Sequence, residues 1–173
     1  MKTLLMSSLL CAIGSCGYAQ GMSTMQSPEC TLPEVAAAWR TQPGTVEPQT
    51  DTVTPAVSGV VGTPYHVTLQ PCASKFCEPG TWAGLFPVTV PQDGRYRVAV
   101  NDMSAWLDVF SATGKNEGVM CEHAGCAPIR KIVQFDLKAG QQWVQIVTRK
   151  PAELDFLVVP VRTVSPTLNL KAN

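Results

Sequence analysis

The sequence predicts an all-β fold: an antiparallel β-sandwich of about eight strands, of jelly-roll kind, with one short helix before it. Three observations carry this. Hydrophobic residues recur with period two from about residue 57 onward. Gly, Pro and Asp punctuate these runs at roughly ten-residue spacing, too close for βαβ units. The chain of 173 residues carries 13 Gly and 14 Pro and is only 15% charged, against roughly 25% in typical domains.

In chain order, Met1-Lys2-Thr3 and the apolar run to Gly14, closed by Gly17-Tyr18-Ala19, have the form of a secretory signal peptide over residues 1–19. Ile13-Gly14-Ser15-Cys16 also resembles a lipobox, in which Cys16 would be acylated and anchor the chain to a membrane. Ordinary cleavage after Ala19 is preferred, because small residues stand at both required places. Residues 20–56 read as a flexible leader, a short helix at about 33–40 and a Pro-rich linker. Thr31 and Glu34 have the spacing of a capping box, and Val35 and Trp39 share the docking face.

The β-sandwich occupies 57–163, and 164–173 form a tail. Tyr65, Val67 and Leu69 alternate with His66, Thr68 and Gln70. Phe86 to Val90 is the next strand, with Pro87 expected at an edge or first position. Asp93-Gly94 turns the chain into a strand whose Tyr96, Val98 and Val100 share a face. Trp106 to Phe110 ends at a Thr113-Gly114 turn. Ile129 to Leu137 alternates around Val133, Phe135 and Leu137. Ala139-Gly140 leads to Gln142 to Val147, and the last strand runs from Leu154 to Val161.

Removing the signal leaves 154 residues, enough for one domain with a core. Twelve basic against thirteen acidic residues provide no stripe for nucleic acid. No later segment has the ~18 apolar residues of a transmembrane helix. The chain is therefore expected to be secreted or periplasmic, with the lipoprotein as the alternative.

The run Pro91-Gln92-Asp93-Gly94-Arg95-Tyr96-Arg97-Val98-Ala99-Val100, followed by Trp106-Leu107-Asp108-Val109-Phe110-Ser111-Ala112-Thr113-Gly114, carries a family likeness. It resembles the pre-peptidase C-terminal (PPC-like) type of β-sandwich. More closely, Ile129-Arg130-Lys131 and Phe135-Asp136-Leu137-Lys138-Ala139-Gly140 resemble segments of small secreted proteobacterial proteins of that type. The resemblance covers about a third of the chain. It implies a non-catalytic appendage, a kind of domain of which some members bind polymeric substrate.

The mature cysteines are Cys30, Cys72, Cys77, Cys121 and Cys126. Cys72/Cys77 and Cys121/Cys126 share a Cys-x4-Cys spacing. In an oxidising compartment this reads as two loop-closing disulfides, although the spacing alone leaves fifteen connectivities. Cys30 is then the odd thiol and the route to a disulfide-linked dimer. The alternative is a metal or redox site of Cys121, His123 and Cys126, with Met103 or Met120 as further donors for copper. No cofactor is expected. His66 falls on a polar strand face.

Trp82, Trp106, His123 and Arg130 are the candidate binding residues. Two registers are open for Trp106. One buries Trp106 and Phe110 and turns Asp108 inward to pair with Arg130 or Arg97. The other buries Leu107 and Val109 and exposes Trp106 as a stacking platform. The first is preferred. No Gly-x-Ser-x-Gly elbow is present, and Asp102 and Asp108 read as a turn residue and a face residue, not as paired catalytic carboxylates. The expected function is a non-catalytic binding or accessory module. It would engage a polymer, protein or small ligand through loops around Cys121–Cys126 and Trp82. A metal-binding or redox protein is the alternative, and a small secreted hydrolase comes third.

Overall fold

The computed structural model describes residues 32–49, 57–72, 78–122, 126–149 and 152–161. The segments expected to be a signal peptide, a flexible leader and a C-terminal tail lie outside these, as do Cys16, Cys30, Cys77 and His123.

The chain is an all-β sandwich with a short N-terminal helix, as the alternation predicts. Helix α1 is Pro33–Trp39. The strands are β1 Gly59–Val60, β2 Pro64–Thr68, β3 Gln70–Pro71, β4 Trp82–Val90, β5 Gly94–Val100, β6 Trp106–Ser111, β7 Gly114–Asn116, β8 Gly118–Glu122, β9 Lys131–Leu137, β10 Gly140–Thr148 and β11 Glu153–Pro160. One sheet has the order β1-β4-β10-β6-β7, with β3 also on β4; the other has the order β2-β11-β5-β9-β8. All pairs are antiparallel except β1 with β4.

The core between the sheets follows from strand parity. Tyr65, Val67 and Leu69, then Tyr96, Val98 and Val100, then Phe135 and Leu137 are buried from one sheet. Phe86, Val88, Leu107, Val109, Val144 and Ile146 meet them from the other. Phe156 lies at the centre, its ring 5.5 Å from that of Tyr65 and 5.4 Å from that of Phe86, distances at which aromatic pairs attract. Gly114 and Gly140 have φ of +132° and +114°, which a Cβ disfavours, so both turn signals fall where the backbone requires glycine.

Helix α1 lies on the outer face of the five-stranded sheet. Val35 joins Ala99, Ile129, Ile132, Leu157 and Val159 in a second cluster, with Leu32, Ala38 and Trp39 packed against it. The expected capping box is replaced by another arrangement. Leu32 is the N-cap, without a side-chain cap, and Pro33 opens the helix, where its fixed φ suits the first turn and no N–H is missed. The Glu34 carboxylate instead accepts from Arg97 Nη1 at 2.9 Å on the sheet below.

Pro87 corrects a second expectation. It sits inside β4, a strand flanked on both sides, and not at an edge. Peptide groups along a strand alternate sides. Leu85 O accepts from Gln49 N on the β1 side, and Pro87 shares that parity. Its missing N–H therefore points toward the two-residue β1 and removes no bond to β10.

Candidate functional site

Antiparallel pairing brings the starts of β4, β6, β9 and β11 and the ends of β2, β5 and β10 to one end of the sandwich. Trp82 opens β4, Trp106 opens β6 and Arg130 precedes β9, so residues far apart in sequence meet at this end.

Trp106 takes the register not preferred from the sequence. It is 62% exposed, whereas Leu107 is 5% exposed and Val109 is fully buried. The partner strand decides this: Ile146 stands opposite Leu107 and Val144 opposite Val109, and both are core residues. Asp108 therefore turns outward. It pairs with Lys115 Nζ at 3.0 Å, not with Arg130 or Arg97. That hydrogen bond, with the attraction of opposite charges, raises the Lys115 ammonium above its ordinary pKa.

The indole is held from two sides. Its Nε1–H donates to Asp108 Oδ2 at 3.1 Å. Lys131 Nζ stands 5.9 Å from the ring centroid, within the range of a cation–π contact, and is itself anchored on Ala105 O at 2.6 Å. Lys131 belongs to the opposite sheet, so no spacing along the chain announces it. Parity places Phe110, Trp143, Leu85 and Pro87 on the same outer face as Trp106. Trp143 stands opposite Phe110 and Pro87; it is 4% exposed, and its Nε1 has no hydrogen-bond partner among the described residues.

Trp82 does not join this platform. It shares parity with Gly84 and Phe86, turns inward and packs against the main core. Arg130 is exposed, and its backbone N–H bonds Val100 O at 2.8 Å.

A polar knot absent from the sequence reading sets the loop that delivers Trp106. Asp102, nearly buried, accepts from Ser104 N at 2.9 Å, from Ser104 Oγ at 2.8 Å and from Thr148 Oγ1 at 2.5 Å. The Asp-x-Ser spacing of an Asx turn was the available signal; the tie to Thr148 arises only when β10 lies beside β6. On the outer face of the other sheet, His66 is exposed as expected, with Nδ1 2.7 Å from Asp155 Oδ1. Asn101 Nδ2 bonds the second oxygen at 3.0 Å.

The cysteines depart from the expected Cys121–Cys126 staple. Cys121 is a free, exposed thiol. Cys72 and Cys126 are disulfide-bonded. Parity explains why Cys121 and Cys126 do not close a loop. Cys121 stands opposite Val133 on β9, whose side chain faces the main core, whereas Cys126 belongs to the cluster on the outer face with Ile132. With Cys126 oxidised, the set Cys121/His123/Cys126 lacks one of its two thiolates, and no metal-holding group of three His, Cys, Asp or Glu occurs among the described residues. Met103 and Met120 are exposed, in a turn and on an edge strand.

Compared with protein-family models, curated proteins and solved structures, the chain matches none. No described helix is long and apolar enough to cross a membrane.

Proposed function

We propose that the chain is an exported, non-catalytic binding module that takes a saccharide polymer on the outer face headed by Trp106. The observation that carries this reading is an exposed indole whose orientation is set before any ligand arrives. Asp108 ties its Nε1 and Lys131 stands over its ring, so little ordering entropy is lost on stacking. Aromatic rings with a polar fringe suit a ligand that is apolar on its ring faces and hydroxylated at its edges. Asp108, Gln145 and Lys115 supply that fringe. Export agrees with the signal-like first 19 residues and with two oxidised cysteines. The PPC-like resemblance points to the same class of role.

The test is retention on a panel of insoluble polysaccharides. Wild type should be retained on at least one, Trp106→Phe should keep most of the binding, and Trp106→Ala should lose at least tenfold. Failure of wild type to bind any of them, or undiminished binding by Trp106→Ala, would overturn the proposal.

A further inference from the structure

The bonded state of Cys126 limits its partner. It is 6% exposed, within the cluster that α1 covers. Cys121 is a free thiol and so is excluded. Cys72 is bonded as well, but it lies beside β4, its N–H on Thr81 O at 2.9 Å. Cys72 thus belongs to the six-stranded sheet, while Cys126 is on the far side of the other sheet. Face-to-face sheets stand about 10 Å apart, and the Cα atoms of a disulfide lie within about 7 Å. These two are therefore not bonded to each other, and each needs one of the remaining cysteines.

Chain reach selects between them. Cys30 is two residues from Leu32, which packs on the cluster containing Cys126. Two residues span at most about 7 Å. Cys77 directly precedes Glu78, whose carbonyl accepts Thr81 N at 3.2 Å and Thr81 Oγ1 at 2.7 Å, next to the backbone of Cys72. Cys11 and Cys16 belong to the signal-like segment.

We infer that Cys126 is cross-linked to Cys30, so that a disulfide ties the segment before α1 to the outer face of the five-stranded sheet. The two thiols each give up a proton and together two electrons. An oxidised thiol–disulfide exchange protein accepts them, its own disulfide leaving as a dithiol. The bond joins what Val35 and the Glu34–Arg97 pair already bring together, and it leaves Cys121, not Cys30, as the odd thiol.

The test is tryptic mapping of the intact protein, alkylated under denaturing, non-reducing conditions. Cys121 and Cys126 fall in one peptide, residues 116–130, and the peptide bearing Cys30 ends at Arg40. The expected species is 116–130 joined to the peptide ending at Arg40, with the alkyl group on Cys121. In Cys30→Ser, residues 116–130 should carry two alkyl groups. Finding 116–130 unlinked in wild type, closed on itself, or joined to the peptide bearing Cys77 would overturn the inference.

Discussion

Leu107 and Trp106 are consecutive apolar residues, and their opposite exposure makes the register of β6 measurable. Leu107→Ala removes a side chain that is 5% exposed and opposite Ile146. Such truncations cost about 2–5 kcal/mol, through lost burial and a residual cavity. Trp106→Ala removes the larger side chain but leaves no comparable cavity, because 62% of it already meets solvent. What is lost is one exposed hydrogen bond to Asp108 and the Lys131 contact, the latter about 0.5–1 kcal/mol at an exposed site. The two together should stay below about 1.5 kcal/mol. Urea unfolding followed by far-UV circular dichroism reads the difference. With a slope of about 2 kcal/mol per molar, Leu107→Ala should lower the midpoint by about 1–2.5 M and Trp106→Ala by less than about 0.8 M. A Trp106→Ala variant as destabilised as Leu107→Ala would refute the assigned register and the exposed platform with it.

Asp102→Ala should cost about 1–3 kcal/mol in the same assay, because Thr148 Oγ1 and Ser104 N lose their acceptor in a nearly buried site. The native protein should react with a maleimide at Cys121; Cys121→Ser should abolish that labelling, and any disulfide-linked dimer on a non-reducing gel should vanish in Cys121→Ser but persist in Cys30→Ser. Side-chain hydrogen bonds from Lys138 and Arg95 hold Asp93 and Asp136 below the ordinary carboxylate pKa. Groups lowered on folding stabilise above their unfolded pKa, so this contribution should be complete at neutral pH and decline as pH falls below about 4. The raised Lys138 and Lys115 stabilise at lower pH and lose this only above their unfolded value of 10.5. Urea midpoints against pH should show less acid dependence in Asp93→Asn/Asp136→Asn, and an unchanged acid limb would contradict the assignment.

Which parts of this fold were legible depends on whether the alternating sets differ in polarity. In β2, Tyr65 and Val67 oppose His66 and Thr68, so one face is plainly inward. In β6, the set of Trp106, Asp108 and Phe110 is two-thirds apolar, and Leu107 and Val109 are wholly so; only the partners on β10 decide. Strands β7 and β8 were not anticipated. Gly114-Lys115-Asn116 has no apolar alternation, and Gly118–Glu122 lies at a sheet edge with a register shift between Gly118 and Met120. The Cys-x4-Cys spacing of Cys121 and Cys126 misled because spacing carries no information about faces: Cys121 lies in a strand that turns its side chain away from Cys126. Lys131 and the Asp102–Thr148 bond depend on contacts between distant segments, which no local pattern encodes.

The two outer faces of the sandwich are treated differently, and this bears on where a ligand would sit. The outer face of the five-stranded sheet is apolar at Ala99, Ile132, Leu157 and Val159, and α1 covers it, with Val35 fully buried and Arg97 paired to Glu34. That face is part of the fold, and a ligand there would have to displace the helix. The outer face of the six-stranded sheet has no described helix on it. It carries Trp106 in solvent beside partly buried Phe110 and Leu85, while Pro87 and Trp143 on the same face are buried. Had burial alone shaped this sequence, alternation on β6 would favour a polar residue at position 106, as β2 has at His66. A large aromatic residue there is costly for solubility and gains little for folding, yet three separate groups fix it: Asp108 on its Nε1, Lys131 over its ring, and the Asp102 knot in the loop before it. Fixing an exposed indole makes physical sense where its orientation is used on a partner, and this supports the saccharide-binding reading proposed for the Trp106 face.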